Sequence, residues 1–209
     1  MRNLYAELAE YTGRTQVLCE ARCIHASVEL AWQFEENKHD PIKHYRESDL
    51  YIFALTRYQM QLQVNNIHSW YQEMIKSYGW KTGFDFGGGI GEQTILACEK
   101  GVKMCFLEVD ESKTMDYARW RFRKHVFEPE MYEEHYGIER DFDFIVAMDV
   151  FEHLEKPEPI IEAIAKHTKY LFCNPGQVKY NWLYPQHISQ FSIEQYFKKV
   201  DLYLYERRK

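Results

Sequence analysis

The sequence predicts an α/β fold in which a doubly wound, mostly parallel sheet carries an N-terminal cap of helices. Three observations lead to this prediction. Apolar residues recur at helical spacing over about the first 78 residues. After Gly79, short apolar runs alternate with helical stretches, as in a parallel sheet covered on both faces. A glycine-rich turn, Phe86–Glu92 in the stretch FDFGGGIGEQT, directly follows the first run. We therefore divide the chain into a helical extension at 1–78 and an α/β domain at 79–209.

The N-terminal extension contains three predicted helices. Pro41 ends the second of them, because proline disfavours helical backbone at the preceding residue. Ser48 or Asp49 can serve as the N-cap of the third helix, which we expect to be interrupted near Asn65–Asn66. The predicted helices are Asn3–Tyr11 before Gly13, Thr15–Glu36 before Pro41, and about 50–78 before Gly79.

The α/β domain contains five predicted strands and one weaker strand. The strands are TGFDF, VKMCFLEVD, DFDFIVAMDV, KYLFCNP and DLYLYERRK, and the weaker one falls in Val126–Met131. Helices are expected at about Glu92–Lys100, in ESKTMDYARWRFRKH, in KPEPIIEAIAKHT, and in IEQYFKKV after an N-cap at Ser192.

Two features near the C-terminus leave alternatives open. Only one strand follows the last predicted helix, so the sheet either lacks an edge strand or has that edge covered by the N-terminal helices. We expect a turn at Asn174–Gly176. The aromatic loop Tyr180–Tyr184 is expected either to close over a substrate or to pack on the N-terminal helices.

The composition narrows the classes of protein. The net charge is −6 and no long basic run is present, which argues against non-specific binding of nucleic acid. No segment resembles a signal peptide or a membrane span, so we expect a cytoplasmic protein that does not bind membranes. Five scattered cysteines are expected to be free thiols, with Cys19 and Cys23 packed against a neighbouring helix.

The glycine-rich turn excludes two common phosphate-binding motifs. If the dinucleotide pattern G-x-G-x-x-G began at Gly87 or Gly88, a required glycine would fall on Glu92 or Ile90. The Gly-Lys-Ser/Thr of a P-loop is also missing. The pattern that fits is D-x-G-x-G-x-G, at Asp85, Gly87, Gly89 and Gly91.

Four motifs in order make the chain similar to class I S-adenosylmethionine-dependent methyltransferases, from about Lys81 to Val200. They are the glycine loop, the strand end CFLEVD, the segment FDFIVAMDVFEHLEKPEPII and the segment HISQFSIEQ. The last two resemble the small-molecule branch that includes ubiquinone-biosynthesis O-methyltransferases. The resemblance implies a Rossmann-like sheet and S-adenosylmethionine as the cofactor. This cofactor has cationic groups and no phosphate, so acidic residues near the loop suit it.

The resemblance also implies which residues bind the cofactor. Asp110 lies about 20 residues after the loop, where the family places the acid that holds the ribose hydroxyls. The alternative for Asp110 is an N-cap of the following helix, and for Asp85 a charge satisfied by loop amides. The predicted cofactor-binding residues are Asp85, Phe86, Gly87, Gly88, Gly89, Gly91, Glu108, Val109, Asp110, Asp149 and Val150.

Catalytic candidates follow the fourth and fifth strands. His153 and His187 are predicted as catalytic residues together with Asp149, and a histidine base is needed if the acceptor must lose a proton. The alternative is that both histidines only organise their loops. With Glu152 these residues form an acid-acid-His-His set that could hold a divalent ion as a Lewis acid. Because a Glu-His pair is also common without metal, we assign no metal ligands and treat a divalent metal as the less favoured alternative.

The sequence therefore predicts an enzyme that methylates an oxygen or nitrogen atom of a small molecule. The alternatives are methylation of RNA or protein, and a methyltransferase-like partner subunit that binds cofactor without turnover. The expected partner is the small-molecule acceptor rather than nucleic acid. A homodimer through the N-terminal helices is also expected.

Overall fold

A seven-stranded sheet with helices on both faces forms the centre of the molecule. The computed structural model describes residues 2–132, 138–174 and 185–209. Its helices are α1 (Leu4–Thr12), α2 (Gln16–Asn37), α3 (Pro41–Glu47), α4 (Leu50–Gln59), α5 (Leu62–Tyr78), α6 (Glu92–Cys98), α7 (Lys113–Lys124) and α8 (Pro157–His167). Its strands are β1 (Thr82–Phe86), β2 (Lys103–Leu107), β3 (Glu130–Met131), β4 (Phe142–Ala147), β5 (Thr168–Cys173), β6 (Phe197–Lys199) and β7 (Leu204–Arg207).

The strand order is β3-β2-β1-β4-β5-β7-β6, with β1 to β5 parallel. β7 is antiparallel to β5, and β6 is antiparallel to β7. This arrangement confirms the predicted doubly wound, mostly parallel sheet. Two clusters of buried residues lie on its faces. One is centred on Phe84, Ile145 and α8, and the other on Tyr71, Phe144 and Phe172.

The prediction of a single strand at the C-terminus is wrong. The segment expected to be a helix after Ser192 contains the edge strand β6. Ser192 caps only a turn, in which its Oγ accepts a hydrogen bond from the amide of Glu194 at 3.3 Å. Phe197 is buried, and its strand pairs with β7. The segment IEQYFKKV is too short for its apolar spacing to distinguish a helix from a strand. Pairing with β7 satisfies the backbone groups of β6 on one side.

The N-terminal extension differs from the prediction in two places. The third predicted helix is two helices, and the break lies at Met60–Gln61 instead of at Asn65–Asn66. Pro41 does not only end a helix: it begins α3 as its first residue. The side chain of Asp40 caps α3 by accepting a hydrogen bond from the amide of Lys43 at 3.0 Å. The predicted stops at Gly13 and Gly79 are confirmed by left-handed backbone at both residues.

The first helices pack over α7 and the start of α6. Leu8 and Phe53 share a buried cluster with Ile90 of the glycine loop and Tyr117 of α7. Arg121 of α7 is 0% exposed and joins these segments. Its guanidinium donates hydrogen bonds to Glu7, Glu92 and the backbone carbonyl of Ile90. The division of the chain near residue 78 stays a prediction.

Two further predictions concern the cysteines and the loops. All five cysteines are free, and Cys19 and Cys23 are buried. Within the described ranges, no helix is both long and apolar enough to cross a bilayer. The aromatic loop Tyr180–Tyr184 and most of the predicted turn at 174–176 lie outside the described residues.

Candidate active site

The glycine loop between β1 and α6 excludes side chains for two different reasons. Gly87, Gly89 and Gly91 have positive φ angles of 66°, 56° and 75°, which L-residues with a Cβ rarely adopt. At Gly88 the cause is packing, since a Cβ there would lie 2.3 Å from the Phe106 ring. On Gly89 a Cβ would meet only Leu55 of α4, at 3.2 Å. On the side that faces the N-terminal helices, the main chain at Gly89 is thus covered only by the side chain of Leu55.

Asp85 lies beneath this loop. Its side chain is buried, and its Oδ2 accepts a hydrogen bond from the hydroxyl of Thr94 at 2.7 Å. Burial raises the pKa of Asp85 to about 7, and the nearby charge of Glu108 raises it further. The alternative for Asp85 was a carboxylate hydrogen-bonded by loop amides. The structure shows a hydrogen bond from the side chain of Thr94 in α6.

Asp85 should make the protein less stable as pH rises, which is opposite to the effect of most carboxylates. Because the folded state keeps the proton to a higher pH than the unfolded chain, this group lowers the free energy of unfolding as pH rises from about 4 to about 7. In Asp85→Asn, urea unfolding between about pH 5 and pH 7 should show a slope of this free energy more positive by up to about 1.4 kcal/mol per pH unit. The exposed control Asp116→Asn should keep the wild-type slope, and an unchanged slope in Asp85→Asn would contradict the assignment.

Glu108, at the end of β2, is tied directly to the glycine loop. Its carboxylate accepts hydrogen bonds from the amide of Gly89 at 2.6 Å and from the amide of Val109 at 2.9 Å. Burial raises the pKa of Glu108 above its usual range. These bonds fix the loop against the end of the strand and leave an acidic group beside the bare main chain.

Asp110 has a more peripheral position than the sequence suggested. Its side chain is 34% exposed and lies 3.8 Å from Arg119. Its backbone carbonyl accepts a hydrogen bond from Arg46 at 3.2 Å. The alternative of Asp110 as an N-cap is wrong, because Ser112 caps α7 by accepting a hydrogen bond from the amide of Met115 at 3.0 Å.

Asp149 follows β4 and has an unusual backbone conformation, with a φ of 52°. Both of its oxygens accept hydrogen bonds, one from the hydroxyl of Tyr58 and one from the amide group of Asn174, each at 2.8 Å. The next residue, Val150, packs against Gly87, where a Cβ would come within 2.8 Å of its side chain. The end of β4 is thus fixed from the N-terminal helices, from β5 and from the glycine loop.

His153 and His187 are brought together, as predicted. Their rings lie 4.9 Å apart at an angle of 83°. The hydroxyl of Tyr45 lies 2.9 Å from Nδ1 of His153. Burial lowers the pKa of His153 to about 3, with a smaller contribution from His187, so the imidazole is neutral at ordinary pH. The backbone carbonyl of Gln186 also accepts a hydrogen bond from this ring.

Glu152 lies beside the two histidines. It is 2% exposed, and its Oε2 has no hydrogen-bond partner among the described residues. Burial raises its pKa to about 7, and the charge of Asp149 adds to this. The backbone carbonyl of Glu152 accepts hydrogen bonds from the amides of Ile188 and Ser189, at 2.9 and 3.2 Å, which hold the segment after His187 in place.

Sequence reasoning missed the contribution of the N-terminal helices. Tyr45, Leu55 and Tyr58 reach His153, Gly89 and Asp149, respectively. The aromatic richness of the helix that begins near Leu50 was a signal for Tyr58 alone, and the same helix also supplies buried packing residues such as Phe53. Nothing in the sequence singled out Tyr45 or Leu55. The predicted residues Phe86 and Val109 lie at the same edge of the sheet, at the ends of β1 and β2.

The fold and these residues define an α/β protein with a site at the carboxyl ends of its parallel strands, built on a glycine loop with acidic groups beside it. The model of the family described as "Methyltransferase domain" matches residues 80–206. This match spans more than half of the chain, and the chain belongs to that family. Residues 80–206 therefore form a methyltransferase domain.

Solved structures share this fold. The structure of monomeric WbdD aligns with 71% of this chain, at 15% identity and a TM-score of 0.51. The aligned part is 41% of the WbdD chain. The structure of an S-adenosylmethionine-dependent methyltransferase from Clostridium acetobutylicum aligns with 56% of this chain, at 16% identity and a TM-score of 0.48. The aligned part is 53% of that protein's chain. The chain therefore spans about half the length of these structures or less. No curated protein sequence matches it.

The residues of the site fit S-adenosylmethionine. Gly89 carries no Cβ, and its one close neighbour at the Cβ position is the flexible side chain of Leu55 at 3.2 Å, so a ligand reaches the main chain there once Leu55 moves aside. Glu108 supplies an acidic group at Gly89 and Asp85 lies beneath Gly88, as suits a cationic cofactor without phosphate. If bound here, S-adenosylmethionine would supply a methyl group on a positively charged sulfur, which is an excellent leaving group. The protein has to bind and orient the two reactants and exclude water.

Proposed function

We propose that the protein transfers the methyl group of S-adenosylmethionine to an oxygen or nitrogen atom of a small molecule. The observation that carries this proposal is the group of Glu152, His153 and His187, which lies beside Asp149 at the carboxyl end of β4. Neutral imidazole and an unpartnered carboxylate oxygen are groups that can accept a proton from an acceptor hydroxyl or amine. A net charge of −6 and acids around the glycine loop do not favour RNA as the acceptor.

The proposed cofactor site follows the glycine loop. Glu108 takes the role expected of Asp110, binding the ribose hydroxyls, because its carboxylate is the one that faces Gly89. The remaining predicted residues line the same edge, with Asp85 below the loop and Val150 against Gly87. Asp149 is held by Tyr58 and Asn174, and we propose that it positions the end of β4.

The proposed role of residues 1–78 is to close the acceptor side of the site. Tyr45 of α3 and Tyr58 of α4 contact the catalytic candidates His153 and Asp149 from above the strand ends. These contacts fix the ring of His153 between the hydroxyl of Tyr45 at Nδ1 and the backbone carbonyl of Gln186. A small acceptor suits a site that helices cover in this way.

The test is a search for methylated products from pools of phenols, carboxylic acids and amines, with isotope-labelled S-adenosylmethionine and mass spectrometry. For the acceptor found, His153→Ala should lower kcat about 100-fold or more, while the Kd of the cofactor stays unchanged. His167→Gln, at the opposite end of β5, is the matched control. Cofactor binding without product from any pool would favour the partner-subunit alternative, and product from RNA or protein alone would overturn the small-molecule proposal.

The proposed homodimer uses an exposed apolar face of α2. Val17, Ala21, Ile24, Val28 and Trp32 recur every three or four residues along this face, and Trp32 is 71% exposed. Two copies packed antiparallel about Ile24 would place the large Trp32 against Val17 and the small Ala21 against Val28. The same pairing would bring Arg14 near Glu35 of the second copy, with opposite charges.

Ile24→Glu should therefore shift the mass in solution from about twice the chain mass of 25.3 kDa to the chain mass itself, because it buries a charge in the interface. Analytical ultracentrifugation measures this directly. Ser27→Glu, on the same helix but away from the apolar face, should leave the dimer intact. A wild-type protein that sediments as a monomer at tens of micromolar would rule out the dimer.

A further inference from the structure

We propose that Glu152, His153 and His187 form a binding site for one divalent transition-metal ion. One donor atom from each residue lies within 4.8 Å of the other two. Asp149 does not belong to this group, since both of its oxygens already accept hydrogen bonds from Tyr58 and Asn174. The four-residue set considered from the sequence is thus reduced to three ligands by the structure.

The geometry requires only a small contraction. At bond lengths of 2.0 to 2.2 Å, the donor atoms around a tetrahedral ion lie about 3.4 Å apart. The three donors would therefore move together by about 1 Å, which side-chain rotation can supply. The two imidazole rings are already in contact, with centroids 4.9 Å apart, so neither has to cross the site to reach the ion.

Glu152 provides an independent indication of a cation. It is 2% exposed, and its Oε2 has no hydrogen-bond partner among the described residues. No ion pair joins it to a basic side chain in the part of the chain that the structure describes. A buried carboxylate with an unpaired oxygen is costly unless a partner is present. A metal ion at this position would be that partner.

The types of donor indicate the class of ion. Two imidazoles and one carboxylate suit Zn²⁺ or another first-row transition ion, whereas Mg²⁺ and Ca²⁺ prefer oxygen ligands alone. The hydroxyl of Tyr45, 2.9 Å from Nδ1 of His153, would hold this ring as an outer-shell partner and leave Nε2 for the ion. The ion would compete for His153 with the backbone carbonyl of Gln186.

Three protein ligands leave a coordination position open, as in catalytic zinc sites. This step rests on the proposed function: the acceptor would then be a hydroxyl compound whose oxygen is polarised by the ion. The hydroxyl proton leaves to solvent, the oxygen–carbon bond forms as the carbon–sulfur bond breaks, and the electron pair of that bond stays on sulfur. With the ion bound, Glu152, His153 and His187 are its ligands, and only the metal-free site would use them as proton acceptors.

Titration of the chelator-treated full-length protein with Zn²⁺, without cofactor or acceptor, tests the site. Calorimetry should give one ion per chain in the wild type, with a Kd at least 10-fold weaker in Glu152→Gln and in His187→Ala. Glu155→Gln, an exposed acid in the same segment, should bind like the wild type. Thermal unfolding of each metal-free variant shows that it is folded.

Because the chain has five cysteines, Co²⁺ serves as a spectroscopic probe. Binding at the proposed site should give visible absorption of a nitrogen- and oxygen-ligated ion without a thiolate charge-transfer band, and Glu152→Gln should weaken this signal. A thiolate band, or equal binding by wild type and Glu152→Gln, would overturn the inference. A metal site without any methyl acceptor would overturn the proposed function alone, and methyl transfer unaffected by chelation would overturn the role of the ion in the reaction.

Discussion

Replacing Glu108 with glutamine is expected to lower the affinity for S-adenosylmethionine by 10-fold or more. The carboxylate of Glu108 accepts hydrogen bonds from the amides of both Gly89 and Val109. A glutamine has only one oxygen, so its NH₂ group must face one of these N–H groups or turn away. The loss of one hydrogen bond to a charged group costs about 1.5 to 3 kcal/mol, and the glycine loop that receives the cofactor loses its anchor.

Asp110→Asn is the matched control, because Asp110 is also an acid and lies only two residues after Glu108. Its side chain is partly exposed near Arg119, so its replacement should change the affinity less than about 3-fold. Isothermal calorimetry with S-adenosylmethionine and with S-adenosylhomocysteine measures both variants, and thermal unfolding checks that each is folded. Weak binding by Asp110→Asn together with normal binding by Glu108→Gln would show that Asp110, and not Glu108, binds the ribose hydroxyls.

Replacing Arg121 with methionine is expected to cause the largest loss of stability, about 3 to 5 kcal/mol. Arg121 is fully buried in α7 and hydrogen-bonds to Glu7, Glu92 and the carbonyl of Ile90. Methionine fills a similar volume but leaves two buried carboxylates without their shared cation. In the wild type, Arg121 and Arg2 hold the pKa of Glu92 at about 2, in spite of the burial that opposes this.

Urea unfolding followed by circular dichroism gives the free energy of unfolding for this variant. Arg123→Met, an exposed arginine on the same helix, should change it by less than about 0.5 kcal/mol. The triple variant Glu7→Gln, Glu92→Gln and Arg121→Met should recover part of the loss, because it removes the unpaired charges. A loss below about 1 kcal/mol in Arg121→Met would show that the network contributes little.

The sequence predicted the α/β domain well where period and turn chemistry agreed. Three strands, β1, β2 and β4, are apolar runs followed by an acid or a glycine. They lie where they were expected, as does the glycine loop after β1. The predictions failed for short segments. IEQYFKKV has too few residues for its period to distinguish a helix from a strand, and pairing with β7 decided its structure. The break at Met60–Gln61 carries neither glycine nor proline to signal it.

The candidate site was predictable only in part. His153 and His187 were both expected at the carboxyl ends of the strands, because consecutive parallel strands end at the same edge of a sheet. Their contact at 4.9 Å could not be read from a separation of 34 positions. Tyr45 and Tyr58 are more than 90 positions from their partners, and their helix pattern gives no information on which tyrosine faces the site.

The sequence by itself determined the sheet, the glycine loop and the family, because these depend on local periodicity and on the backbone freedom of glycine. Only the tertiary structure decided that the carboxylate of Glu108 binds the amide of Gly89 and that Arg121 joins the N-terminal helices to the glycine loop. It also decided that Oε2 of Glu152 is buried near two histidines with no hydrogen-bond partner among the described residues. These contacts join residues far apart in the chain, and they depend on which side chain each turn directs inward, which is set by packing across the whole domain.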